Sequence, residues 1–170
     1  MATSAGLFHG PALYSAAVAT LHESTDFPAN GALPQGWDDD VYSDCTFADL
    51  NLEGQAFQGL LNACVLSNCA WYWGLFNGTR FIEVEFRNCV FRGSAFAACL
   101  FVKCRFLNCR FVRDRLDSPC RFDDCAWFAC EQMGCEGLPH DDSAAPTAPG
   151  GIPSQGVEAF LARPHSPPMK

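Results

Sequence analysis

The chain has 170 residues, 49% of them hydrophobic, and a formal net charge of −8. That is room for one domain with tails. No apolar run reaches the ~18 residues of a membrane span, and the absence of any Lys or Arg before Arg80 removes the basic start of a secretory signal. Eleven cysteines in a chain without an export signal are expected to be reduced thiols in a cytosol.

In chain order, residues 1–40 are expected to form an N-terminal flank with a short helix. Pro11 suits a first helical turn, and Leu13, Ala17 and Leu21 would share a face. This helix would cap the domain or pack along its side. Residues 30–36 read as a linker, with Trp37 plugging the first layer of the core. The stretch 38–53 is acidic, carrying Asp38, Asp39, Asp40, Asp44, Asp49 and Glu53 without a base.

From there a five-residue cycle takes over. Phe76, Phe81, Phe86, Phe91, Phe96, Phe101, Phe106 and Phe111 lie five apart. A helix would scatter them, since five residues turn it by about 500°, and a strand would alternate them between faces. A step of five needs a chain that turns a corner every five residues and points one side chain inward each time. Centres continue upstream as Trp71, Leu66, Leu61, Phe57, Leu52 and Phe47, and downstream as Leu116, Phe122 and Trp127. All eleven cysteines fall two residues before a centre, where the cycle prefers a small side chain.

Runs such as Cys45-Thr-Phe-Ala-Asp-Leu-Asn-Leu and Cys104-Arg-Phe-Leu-Asn-Cys-Arg-Phe resemble the pentapeptide-repeat family, above all its Cys-rich and Phe-rich bacterial members. The resemblance implies an all-β fold, a right-handed four-sided parallel β-helix over 41–138 with four units per coil. Coils ~4.8 Å apart would make a rod roughly 24 Å tall.

A 20-residue coil allows the faces to be read. Asn68, Asn88 and Asn108 should form a ladder at one corner. Lys103 should lie between Glu83 and Asp124, and Arg105 above Glu85. Tyr72, Trp73, Arg92, Arg110, Val112 and Arg113, with Met133 above, point outward on one side, and Gly93 leaves space beside the indole. Aromatic and Arg side chains together suit a partner-binding face, although a flank folded over the aromatics would also explain them. Leu60, Ile82, Leu100 and Val102 give a second apolar surface, again for a partner or a flank. Residues 139–170 read as a flexible tail ending in a short amphipathic helix, with Val157, Phe160 and Leu161 on its docking face.

Chemistry is sparse. His9, His22, His140 and His165 all lie in the flanks, so no Cys–His or Ser–His pair is expected in the repeat. The Cys-x4-Cys spacing puts neighbouring thiols on different sides and does not converge on zinc. Cys69, Cys89, Cys109 and Cys130 would stack as a column of small hydrophobes. Asp114 is placed inward, accepting backbone hydrogen bonds at a bulged corner. No catalytic residue, metal or cofactor is expected. The reading is a non-enzymatic protein–protein interaction module, cytoplasmic and bacterial, with a homodimer and signal-independent export left open. The resemblance adds an accessory or adaptor role in a type VI-like secretion system. It also adds an alternative, a DNA-mimicking protector of gyrase. A further alternative is single-strand binding by the basic–aromatic face. A mimic should be acidic throughout, whereas residues 80–121 carry nine Arg or Lys against four acids.

Overall fold

The computed structural model describes residues 19–27, 33 and 37–139. They form twenty short strands. The first ten are β1 (Leu21–Glu23), β2 (Asp26–Phe27), β3 (Val41–Ser43), β4 (Thr46–Ala48), β5 (Asn51–Glu53), β6 (Ala56–Phe57), β7 (Leu60–Asn62), β8 (Val65–Ser67), β9 (Ala70–Tyr72) and β10 (Leu75–Asn77). The rest are β11 (Arg80–Ile82), β12 (Glu85–Arg87), β13 (Val90–Arg92), β14 (Ala95–Ala97), β15 (Leu100–Val102), β16 (Arg105–Leu107), β17 (Arg110–Val112), β18 (Arg121–Asp123), β19 (Ala126–Phe128) and β20 (Glu131–Met133). Every pairing joins strands one coil apart, in parallel. The first side is β1-β3-β7-β11-β15-β19, the second β2-β4-β8-β12-β16-β20, the third β5-β9-β13-β17 and the fourth β6-β10-β14-β18. The fold is therefore all-β, a four-sided parallel β-helix. No helix among the described residues is long and apolar enough to cross a membrane.

Most three-residue sides bury their middle residue, the exceptions being the partly buried His22, Leu52, Phe122 and Gln132, and the middle residues pair across coils. Phe81 pairs with Leu61 and Phe101, and Phe91 with Trp71 and Phe111. Rings in one column are nearly parallel and close: Phe76 and Phe96 are 4.6 Å apart, and Phe86 and Phe106 are 4.8 Å apart. Around a coil the rings meet edge to face, as Phe81 and Phe86 do at 63°. Both arrangements suit the aromatic quadrupole.

Corners need a left-handed residue, which Asn, Asp and Gly tolerate best. Asp49, Asn68, Asn88 and Asn108 all have φ between 52° and 56°. The expected ladder forms between Asn68 and Asn88 and extends down to Asp49, with Asn108 at the corner above in the same conformation. Asn88 Nδ2 donates to Asn68 Oδ1 at 3.2 Å, and Asn68 Nδ2 to Asp49 Oδ1 at 3.0 Å. The Lys103–Glu83 and Arg105–Glu85 pairs also form, at 2.9 and 3.0 Å.

The cysteines line the inside corners. All eleven are free thiols, eight of them buried. Their Sγ atoms aim at carbonyl oxygens, as Cys89 does at Leu66 and Cys104 at Phe81. These are weak donors filling small spaces. Burial pushes the Cys64 thiol up to about 11. Cys89 is raised by its contacts with Cys109 and Cys69 and then by burial. One thiolate in that column could accept from its neighbour; further ionisation would be opposed.

Three expectations change. First, Leu116 is not a centre: it is 75% exposed. Phe122 stacks directly on Phe96 on the fourth side at 4.8 Å, so residues 113–119 loop out of the coil. Everything beyond shifts by one side. Met133 lies over Leu107 rather than above Arg113. Asp124 follows Asp123, which pairs with Ala97 one corner before Lys103. Cys135, not Cys130, completes the column over Cys109, whose amide donates to its Sγ at 3.4 Å. Second, Asp114 faces outward, although it does accept backbone hydrogen bonds.

Third, the solenoid begins earlier than residue 41. Leu21 ends no helix; it starts β1, whose residues pair with β3, and β2 pairs with β4. This start is held by Asp40, which is 3% exposed. Its carboxylate accepts from the Thr20 amide and lies 2.8 Å from His22 Nε2, and the His22 ring stacks on Tyr42. Burial would raise the Asp40 carboxyl, but the hydrogen bonds from His22 and Thr20 outweigh it and hold it below its usual range. Trp37 is buried against Phe57 and Trp71, as expected of a plug. Leu13 and Ala17 of the expected first helix, and Val157, Phe160 and Leu161 of the expected last one, lie outside the described residues.

Phe101 is fully buried, stacked on Phe81 at 4.8 Å and on Trp127 at 3.9 Å. Phe101→Ala leaves a void between two rings and is expected to cost about 3–5 kcal/mol. Urea unfolding monitored by circular dichroism measures it.

Candidate partner-binding site on the third side

Outward residues on the third side form two columns. One stacks Asn51, Ala70, Val90 and Arg110; the other stacks Glu53, Tyr72, Arg92 and Val112. At the next corner Gly54, Trp73 and Gly93 follow one another, all left-handed, with φ of 64°, 54° and 56°. Glycine accepts that conformation freely; a tryptophan there costs about 1–3 kcal/mol. Trp73 remains 39% exposed, so its ring serves no buried contact in the core, although the corner's turn is common to the repeat.

The loop 113–119 folds back onto this corner. The Asp114 carboxylate organises it. One oxygen accepts from the Leu116 amide at 2.8 Å and the Ser118 amide at 2.9 Å, and the other accepts from Trp73 Nε1 at 2.5 Å. Gly93 leaves room for this carboxylate as well as for the indole: a Cβ on Gly93 would sit 2.9 Å from Asp114 Cβ and Oδ2. The Trp73 N–H, then the Ser118 and Leu116 amides and the nearby Arg115, hold Asp114 below the usual carboxylate range. Arg115 Nε donates to the Tyr72 hydroxyl at 3.0 Å, and its guanidinium lies 5.4 Å from the ring centre. Arg113 donates to the Asp117 carbonyl at 2.6 Å.

Two hollows result, separated by the Trp73–Asp114 contact. The larger, about 540 Å³, is lined by Glu53, Ala70, Tyr72, Arg92, Arg113 and Arg115. The smaller is lined by Trp73, Gly93, Leu116, Pro119 and Arg121. Leu75, 48% exposed, is on the adjoining fourth side, two coils below Arg121 in one column.

Of the residues expected on this face, Tyr72, Trp73, Arg92 and Arg113 come together, with Val112 over Arg92. Arg110 lies in the other column and pairs with Glu136 at 2.9 Å. Asp114, Arg115 and Leu116 of the loop were not anticipated there. The signal was the eleven-residue gap between Phe111 and Phe122. The loop partly covers the aromatics; the terminal flanks that could also cover them lie largely outside the described residues.

The second apolar surface is also rearranged. Ile82 and Val102 stack in one column that ends in Phe128, 40% exposed. Leu60 and Leu100 are in the neighbouring column, separated by Arg80. Among the described residues no group of three or more His, Cys, Asp or Glu could hold a metal ion. His22, bonded to Asp40, is the one histidine among them.

No protein-family model matches the chain, and no curated protein matches it. Two solved structures are similar in shape. One is a pentapeptide repeat protein, Rfr23, from the cyanobacterium Cyanothece 51142, at 7% identity and a TM-score of 0.47, covering 69% of this chain and 88% of that one. The other is QnrB1, a plasmid-mediated fluoroquinolone resistance protein, at 13% identity and a TM-score of 0.34, covering 72% of this chain and 69% of that one. Identities this low concern the fold alone.

The Asp114 contacts generate a pH test. A lowered carboxyl pKa means the loop's anchoring is complete above the ordinary Asp value of about 3.9 and is lost as pH falls through the lower, folded value. Asp114→Ala is expected to shift the Trp73 indole N–H resonance at neutral pH and to speed tryptic cleavage after Arg115. The wild-type indole should move the same way only in strong acid.

Proposed function

We propose that this pentapeptide-repeat solenoid is a non-enzymatic protein-interaction module that presents the corner between its third and fourth sides to a partner protein. The observation that carries the reading is Trp73. It fills a left-handed corner that glycines occupy in the coils below and above, and it is latched to a loop that interrupts the repeat and that the core does not need. A bulky side chain kept at an exposed corner where glycine serves the neighbouring coils, and held there by a loop, points to function. Exposed Trp73, Leu75 and Leu116 beside Arg92, Arg113, Arg115 and Arg121 give the aromatic–arginine mixture of binding hot spots. The Ile82–Val102–Phe128 stripe is a second contact, suited to a further subunit or to a flank.

An accessory or adaptor role in a bacterial, type VI-like secretion system is the finer form of this proposal. It rests on the resemblance of the repeat; the cytoplasmic location is proposed from the eleven cysteines read as reduced thiols. The gyrase-protecting alternative wants an acidic rod, and the excess of bases over residues 80–121 opposes it. Single-strand binding is opposed by Glu53 and Asp114 in the groove and by the net charge of −8.

Affinity capture from source cells tests the module, with the wild type beside an Arg92→Glu/Leu116→Asp variant. Both side chains are exposed, so the variant should fold as the wild type does. A defined prey lost only from the variant is the expected result. Prey shared equally by both baits would move the interface elsewhere on the rod, and recovery of gyrase subunits would favour the alternative.

A further inference from the structure

Resting on that reading of the site, we infer that the larger hollow of the third side recognises a short carboxylate-bearing segment of the partner, one or two Asp or Glu side chains.

Three guanidinium groups border this hollow, and they are not equivalent. Arg113 is occupied by Asp117, through its carbonyl and its carboxylate at 3.3 Å. Arg115 donates through Nε to Tyr72 and stacks over that ring, which orients its plane and leaves its terminal nitrogens without a hydrogen bond among the described residues. Arg92 is exposed, sits directly over Tyr72 in the strand register, and its guanidinium has no hydrogen bond or ion pair among the described residues. By contrast, Arg87, Lys103, Arg105 and Arg110 all meet a carboxylate along the second side, at the first corner or higher on the third. Arg80 on the first side and Arg121 on the fourth also have no side-chain partner among the described residues, so what is particular to the groove is an unpaired Arg92 beside an Arg115 oriented by Tyr72.

The carboxylates nearby are already committed or lie at its border. Asp114 spends both oxygens on Trp73, Leu116 and Ser118. Glu53, one coil below Tyr72 and two below Arg92, lines the lower part of the hollow and attracts Arg115 without a hydrogen bond, leaving the Arg92 level open to a carboxylate. Planar forks with free N–H groups match a carboxylate, which they can bind through two parallel hydrogen bonds. Tyr72 and Ala70 give the floor an apolar surface for the methylene stem, and the adjacent hollow around Trp73, Leu116 and Pro119 suits an apolar neighbour in the same segment.

The same geometry selects against a long polyanion. A nucleic-acid backbone tracking down this face would leave the Arg92 level and meet Glu53, then the acidic stretch 38–53. Like-charge approach of that kind is unfavourable. The positive zone is only a few coils tall, enough for one or two carboxylates.

The test titrates the full chain into fluorescein-labelled hexaglutamate and follows anisotropy. Labelled hexalysine and a labelled DNA duplex run in parallel, and thermal melts check the variants. Expected are saturable hexaglutamate binding that weakens with added salt, none for hexalysine, and a loss of roughly tenfold in Arg92→Ala, the scale of one charge-assisted contact of about 1.4 kcal/mol. Arg92→Lys should recover only part of it, since an ammonium lacks the fork. Arg80→Ala, on the first side, should bind as the wild type. Hexaglutamate binding that is absent, or unchanged in Arg92→Ala, overturns the inference, as does tighter binding of the duplex. If hexaglutamate fails while Arg92→Glu/Leu116→Asp still loses a captured prey, the interface stands and only its carboxylate chemistry is wrong.

Discussion

The structure depends on a coincidence of two lengths. Backbones that pair into a sheet lie about 4.7–4.9 Å apart, and offset aromatic rings stack well at that separation. A phenylalanine at each side centre can therefore satisfy sheet and ring stack together. The columns show it: Phe86 on Phe106, Phe91 on Phe111 and Phe96 on Phe122 are each at 4.8 Å with planes within 5°. Three-residue sides, left-handed corners and thiol-sized residues two before each centre follow from keeping those rings in register.

The same constraint says where the chain can be interrupted. An insertion within a side would lift a ring out of its column. At a corner the extra residues can leave the coil and return without moving the next centre. Residues 113–119 do that, and Phe122 resumes the fourth side as though the loop were absent. The loop is then free to carry chemistry the core does not need. It contributes Asp114 to Trp73 and Arg115 to Tyr72, both two coils below the strand it leaves. The candidate site is thus an addition to a surface that the repeat already holds rigid.

Phenylalanine spacing makes the fold and most of the face legible in the sequence, because one inward ring every five residues has no other regular explanation. Tyr72, Trp73, Arg92 and Arg113 could be grouped on that basis alone. The misreading came at Leu116, which lies five residues after Phe111 and satisfies the period while pointing into solvent. A period test cannot tell a leucine in a corner loop from a leucine in a side. That single choice shifted Met133, Asp124 and Cys130 onto the wrong neighbours. Asp40 was hidden for a different reason. In an acidic run it reads as a surface charge, and only pairing with a strand some eighteen residues earlier brings His22 and the Thr20 amide to it. Local composition contains no trace of that contact.

The central claim is that stacked centres at a five-residue cycle build the rod, and that loop 113–119 is grafted onto it. Excising residues 114–119 returns the step from Phe111 to Phe122 to five residues and tests this most directly. The account predicts a cooperative fold with thermal stability near that of the wild type and Trp127 still buried. Trp73, already 39% exposed, should become more accessible in fluorescence quenching. Loss of the coils beyond β17, seen as solvent exposure of Trp127 and amide exchange through β18, β19 and β20, would contradict it.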